Sequence, residues 1–132
     1  MGKTSDLSGI LILVAEDDKA NFFLISEMLC ASMAKILHAW DGKEAIEIFQ
    51  RNPDIDVILM DIRMPRMDGY DATAEIRKFN REVPIIAQTG YVLEADRQHA
   101  LTMGFNDYLT KPLNEKDLVE AIKRSVGRNK NK

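Results

Sequence analysis

Apolar residues in this chain come in two alternating patterns. Stretches of strand length occupy residues 10–15, 35–40, 55–60, 83–89 and 106–110, the first apolar throughout and the others interrupted by polar residues. Runs of that length, rich in Ile, Val and Leu, predict strands buried on both faces. Between them, apolar residues recur at helical spacing. In residues 19–33, Ala20, Leu24 and Met28 repeat at i, i+4, with Ile25 and Leu29 alongside, which predicts one buried face. Asp41 opens the next helix as N-cap, with Glu44 at the capping-box position and Ala45, Ile46 and Phe49 facing inward. Asn52-Pro53-Asp54 ends it. The helix over 69–79 places Ala72, Ile76 and Phe79 on one side. The helix over 93–103 carries only a thin stripe, Leu93, Ala100 and Leu101, and stops at Gly104. A last helix, capped by Asn114 and running to about Val126, buries Leu118, Val119, Ile122 and Val126. Five strands alternating with five helices predict an α/β fold, a single doubly wound parallel sheet with helices on both faces.

Composition narrows this little. The 132 residues suffice for one domain with a real core. Residues 1–9 read as a flexible N-terminal arm, 10–126 as the domain and 127–132 as a polar tail. A net charge of −3 without a basic block argues against nucleic-acid binding. No apolar run has membrane-spanning length, and the N-terminus lacks the apolar core of a signal peptide. A single cysteine, Cys30, forms no internal disulfide; it reads as a buried small hydrophobe, and a cytoplasmic location is the expectation. His38 and His99 read as surface or rim residues. Gly2-Lys3-Thr4 lacks the upstream glycine and strand of a phosphate-binding loop.

The chemistry collects where the strands end. Glu16 and Asp17 follow the first strand, Asp61 closes the third, Thr89 the fourth, and Lys111 follows the fifth. In a parallel sheet these ends share one edge, the edge at which open α/β sheets bind ligands. Three close carboxylates repel, and a divalent cation resolves the conflict. Oxygen ligands suit Mg²⁺, which keeps several waters. Lys111 and Thr89 then suit an anion with several oxygens, a phosphoryl group. A carboxylate beside such a site can act as nucleophile. Asp18 reads as the cap of the first helix, outside the cluster.

Ile12-Leu13-Val14-Ala15-Glu16-Asp17-Asp18, Asp61 with Met64-Pro65-Arg66-Met67-Asp68-Gly69, Thr89-Gly90 and Tyr108-Leu109-Thr110-Lys111-Pro112 together resemble the receiver domain of two-component response regulators. The resemblance spans about residues 10–126. It implies the flavodoxin-like strand order 2-1-3-4-5. It also implies that Asp61 is the phosphoacceptor, loaded from a partner's phosphohistidine. Glu16, Asp17, Asp61 and the main-chain carbonyl of Arg63 would hold Mg²⁺ (or Mn²⁺). Lys111, Thr89 and the Gly90 amide would contact the phosphoryl group, with Tyr108 as an aromatic switch. The fourth helix, fifth strand and fifth helix would carry the change outward. Arg63 and Tyr91 occupy positions that tune phosphoryl lifetime in the family, and two bulky groups there predict a lifetime of minutes or longer. Glu16 stands where many members have Asp, and Gly90 where Ala is commoner.

The implied partner is a histidine kinase or histidine phosphotransfer protein, with no nucleic acid or membrane bound by this domain, as a monomer or weak dimer. Glu16-Asp17-Asp18-Lys19-Ala20-Asn21-Phe22 and Ala87-Gln88-Thr89-Gly90 are most similar to receivers of hybrid sensor histidine kinases. A stand-alone regulator and a non-phosphorylated pseudo-receiver are the alternatives. Receivers catalyse their own phosphorylation and dephosphorylation, so "enzyme" is a matter of definition here. A haloacid-dehalogenase-type hydrolase needs a second Asp where Arg63 stands. A dinucleotide site would place a pyrophosphate against Glu16-Asp17-Asp18.

Overall fold

The computed structural model describes residues 7–90 and 94–130, with the side chains of 94–97 and 128–130 excepted. Five strands, β1 (Leu11–Ala15), β2 (Lys35–Ala39), β3 (Val57–Asp61), β4 (Ile85–Thr89) and β5 (Asp107–Thr110), alternate with five helices. These are α1 (Lys19–Ala31), α2 (Gly42–Arg51), α3 (Gly69–Phe79), α4 (Glu94–Thr102) and α5 (Glu115–Lys130). All pairings are parallel, in the order β2-β1-β3-β4-β5. The order follows burial. Every residue of β3 and β4 is buried, whereas β2 and β5 carry partly exposed positions and take the edges.

Side chains alternate between two cores. Leu13, Ala15, Ile58, Met60, Ile85 and Ala87 meet the helices α2, α3 and α4. Ile12, Val14, Val57, Leu59 and Ile86 meet α1 and α5. Caps fix the helix starts. Asp18 Oδ1 accepts the Asn21 amide at 3.0 Å, Asp41 Oδ1 the Glu44 amide at 2.8 Å, Asp68 Oδ1 the Asp71 amide at 2.9 Å, and Asn114 Oδ1 the Asp117 amide at 2.8 Å. Glu44 accepts from the Trp40 amide at 2.6 Å, one residue further back than a capping box requires.

Several expectations are corrected. In α1 the buried residues are Ile25 and Leu29, while Ala20 and Leu24 are exposed and Met28 is half-buried. Residues 22–25 are all apolar, so spacing alone left the face undecided; the sheet selects one rotated by about 100°. Cys30 follows Leu29 by the same rotation and is exposed. Phe79 closes α3 past the edge of the core; it is 48% exposed and its ring meets Phe49 at 6.0 Å. Leu101 is exposed, leaving Ala100 as the buried residue of the α4 stripe; Leu93 lies outside the described residues. Leu7, placed in the arm, is fully buried against the α1/α5 core, and its amide donates to Ser32 O at 2.6 Å. At the other end α5 continues through Lys130, past the expected boundary at Val126. Among the described residues no helix is long and apolar enough to cross a membrane.

Candidate functional site

The parallel sheet brings the carboxyl ends of β1, β3, β4 and β5 to one edge. Asp61 ends β3 and is 2% exposed. Its Oδ1 accepts the Arg63 amide at 3.2 Å, and its Oδ2 accepts Lys111 Nζ at 3.2 Å. Lys111 Nζ also lies 3.7 Å from Glu16 Oε1. The Lys111 amide donates to Thr89 O at 2.7 Å, which ties the end of β5 to that of β4. Thr89 itself is buried.

Glu16 is fully buried, whereas its neighbour Asp17 is exposed. One carboxylate oxygen from each of Glu16, Asp17 and Asp61 lies within 4.8 Å of the others. Burial and the negative charge of Glu16 raise the Asp61 carboxyl from 3.8 to about 7, against the opposing pull of Lys111. An all-oxygen set in which burial and like charge raise a carboxyl fits a hard divalent cation.

The loop between β3 and α3 frames Asp61. Gly69 lets α3 approach the strand end: a Cβ there would stand 2.5 Å from Asp61 O and 2.9 Å from Ile62 Cα. The Gly69 amide donates to Ile62 O at 2.8 Å. Gly42 plays the same part for α2, its amide donating to Met67 O at 3.1 Å, where a Cβ would come within 2.5 Å. Arg66, in the left-handed region at φ 64°, donates from Nε to Asp41 Oδ2 at 2.7 Å. Burial alone would raise the Asp41 carboxyl; the Glu44 amide and Arg66 outweigh it and hold it below its ordinary value.

Of the remaining candidates, Arg63 and Gly90 are exposed. A Cβ on Gly90 would meet nothing within 4 Å among the described residues. The Tyr108 side chain is turned inward, 4% exposed, in the core shared with α2, α3 and α4. Tyr91 lies outside the described residues. His38 is half-buried, its ring stacked on Phe22 at 3.6 Å and against Trp40 at 4.2 Å. Its Nε2 is 2.9 Å from Glu16 O. His99 is exposed, its ring 4.8 Å from that of Tyr70. Sequence reasoning missed Asn21 and Gln88 as members of the site. Asn21 Nδ2 donates to Glu16 Oε1 at 2.6 Å and reaches Gln88 Oε1 at 3.5 Å. An amide one helical turn past the acid pair was the available signal for Asn21; for Gln88 there was a polar residue inside an apolar run.

Comparison with known proteins decides what this arrangement is. The response regulator receiver domain family matches residues 12–123. The chain belongs to that family.

Receiver domains of histidine kinases are among its relatives. It is 39% identical over 123 residues to the hybrid signal transduction histidine kinase I of Dictyostelium discoideum, covering 87% of this chain and 7% of the kinase. Across three of its histidine-kinase relatives, the chain spans between 7% and 15% of their length. The receiver domain of a Pseudomonas aeruginosa sensor histidine kinase is 40% identical, with a TM-score of 0.84 over 91% of this chain and 99% of that one. That structure has a magnesium ion coordinated in its active-site cleft. The receiver domain of Saccharomyces cerevisiae Ssk1, solved with the histidine phosphotransfer protein Ypd1, is 29% identical with a TM-score of 0.84, covering 89% of each chain. This receiver domain therefore carries the two-component fold, and its Glu16, Asp17 and Asp61 pocket fits a Mg²⁺-binding phosphoacceptor site.

Proposed function

We propose that Asp61 accepts a phosphoryl group from a partner's phosphohistidine in a Mg²⁺-dependent reaction. The observation that carries this is the position of Asp61, with Lys111 Nζ 3.2 Å from Oδ2 and the acid pair within 4.8 Å. An Asp61 carboxylate oxygen attacks phosphorus and forms the O–P bond. The P–N bond to the donor imidazole breaks, and the nitrogen keeps the electron pair. Lys111 then pairs with a phosphoryl oxygen in place of the carboxylate it holds now. Bound Mg²⁺ supplies positive charge to the carboxylates and to the transferring phosphoryl oxygens. Glu16, Asp17, Asp61 and the Arg63 carbonyl would hold it, with Mn²⁺ a substitute. The Thr89 hydroxyl and Gly90 amide receive the remaining oxygens. The inward Tyr108 side chain and the surface of α4, β5 and α5 carry the change outward.

Kinase relatives support a place within a hybrid histidine kinase, and the yeast complex supports a phosphotransfer protein as partner. Arg63 and Tyr91 flanking the phosphoryl group predict a lifetime of minutes or longer. The test mixes the chain with Mg²⁺ and a small phosphodonor and follows intact mass and Trp40 fluorescence. Trp40 reports on the site through its contact with His38, whose Nε2 meets Glu16 O at 2.9 Å. A phosphoryl mass gain absent in Asp61→Asn is expected. No gain in the unmodified chain would overturn the assignment, and hydrolysis within seconds would remove the shielding role of Arg63 and Tyr91.

A further inference from the structure

Glu16 presents its carboxylate on a side chain one methylene longer than aspartate. The extra torsion has to be restrained if the carboxylate is to meet an ion that demands near-ideal octahedral geometry. Both oxygens are in fact held from within the protein. Oε2 accepts the Asp18 amide at 3.0 Å, and Oε1 accepts Asn21 Nδ2 at 2.6 Å. Behind Asn21 stands Gln88, fully buried, its Oε1 3.5 Å from the same Nδ2. Gln88 is in register with Asp61 on the neighbouring strand, so the two side chains share a face of the sheet. Its Nε2 is buried and has no hydrogen-bond partner among the described residues. A buried amide donor left without an acceptor is costly, and one beside a ligand site points to an acceptor that arrives with the ligand.

We propose that Asn21, backed by Gln88, is a positioning residue that fixes the Glu16 carboxylate for the divalent ion, and that Gln88 Nε2 donates to a water of the ion's hydration shell. This rests on the metal-binding reading above. Mg²⁺ takes few protein ligands and keeps several waters, which supplies the missing acceptor. Groups that orient metal ligands typically change metal affinity about 10- to 100-fold when removed.

The test titrates Mg²⁺ into the full chain, followed by Trp40 fluorescence and calorimetry. Asn21→Ala should weaken Mg²⁺ binding about tenfold. In a Glu16→Asp background the same change should cost less than about twofold, because the shorter acid no longer reaches the amide. A purely structural Asn21 would cost the same in both backgrounds. Gln88→Leu should raise stability without Mg²⁺, by removing the unpartnered donor, while weakening Mg²⁺ binding about threefold. Asn21→Ala within twofold of the unmodified chain, or an equal loss in both backgrounds, overturns the positioning role. Unchanged Mg²⁺ affinity in Gln88→Leu overturns the water contact. No Mg²⁺ binding by the unmodified chain overturns the metal reading itself and this inference with it.

Discussion

Neutralising Asp61 should stabilise the metal-free domain. Asp61 titrates near 7 in the folded chain against 3.8 for an ordinary aspartate. Between those values the folded state binds more protons than the unfolded state, so stability falls as pH rises through the window. Above pH 7 the full penalty is in place, about 4 kcal/mol at 1.36 kcal/mol per unit. Two effects reduce what Asp61→Asn recovers. Exposed Asp17 opens the cluster to solvent, which screens part of the repulsion. Lys111 also loses its partner at 3.2 Å and, among the described residues, keeps Glu16 at 3.7 Å. The asparagine retains its neighbours otherwise: Oδ1 accepts the Arg63 amide and Nδ2 can donate to Glu16. A net gain of about 2 kcal/mol at pH 8 remains, an increase of about 8 °C in melting temperature for a domain of this size. The assay is urea and thermal unfolding of both chains, with chelator, from pH 5 to pH 8.5. That advantage of about 2 kcal/mol should be lost between pH 8 and pH 5, because by then the unmodified chain has protonated Asp61. An Asp61→Asn chain no more stable at pH 8, or an advantage independent of pH, would refute the reasoning.

Two further outcomes follow from backbone geometry. Gly69→Ala places a methyl 2.5 Å from Asp61 O and 2.9 Å from Ile62 Cα, both backbone atoms with little freedom to yield. It should cost about 3 kcal/mol in urea unfolding and weaken Mg²⁺ binding by shifting the strand end. Met33 occupies the left-handed position after α1 at φ 72°, with the Met33 amide bonded to Cys30 O at 2.9 Å and the Ala34 amide to Leu29 O at 3.1 Å. That is the position where helices favour glycine, and Met33 is 64% exposed. Met33→Gly should gain about 1 kcal/mol in the same unfolding assay; an unchanged or lower midpoint would count against it.

Much of the fold was legible because it rests on short-range spacing. Largely apolar runs locate β1, β3 and β4 to within two residues, since a strand buried on both faces has little polar side to display. Asp18, Asp41 and Asn114 mark their helices because a cap acts over three residues. The strand-end placement of Glu16, Asp61, Thr89 and Lys111 follows from the same runs, and parallel pairing alone is enough to gather them on one edge.

What only the tertiary structure decided depends on groups far apart in the chain. The run of apolar residues in α1 is compatible with more than one face, and contact with the α5 side of the sheet selects Ile25 and Leu29 over Leu24. The Asn21–Gln88 contact joins residues 67 apart, and the Asp41–Arg66 bridge residues 25 apart. Each exists because strand register and loop path bring the partners together, and no local period encodes either. The raised Asp61 carboxyl belongs to the same class. Aspartate at a strand end is written in the chain; its burial, Glu16 on one side and Lys111 on the other are set by three strands meeting. Local pattern therefore determined which residues stand at the edge, and packing determined how closely they stand and what charge they can carry.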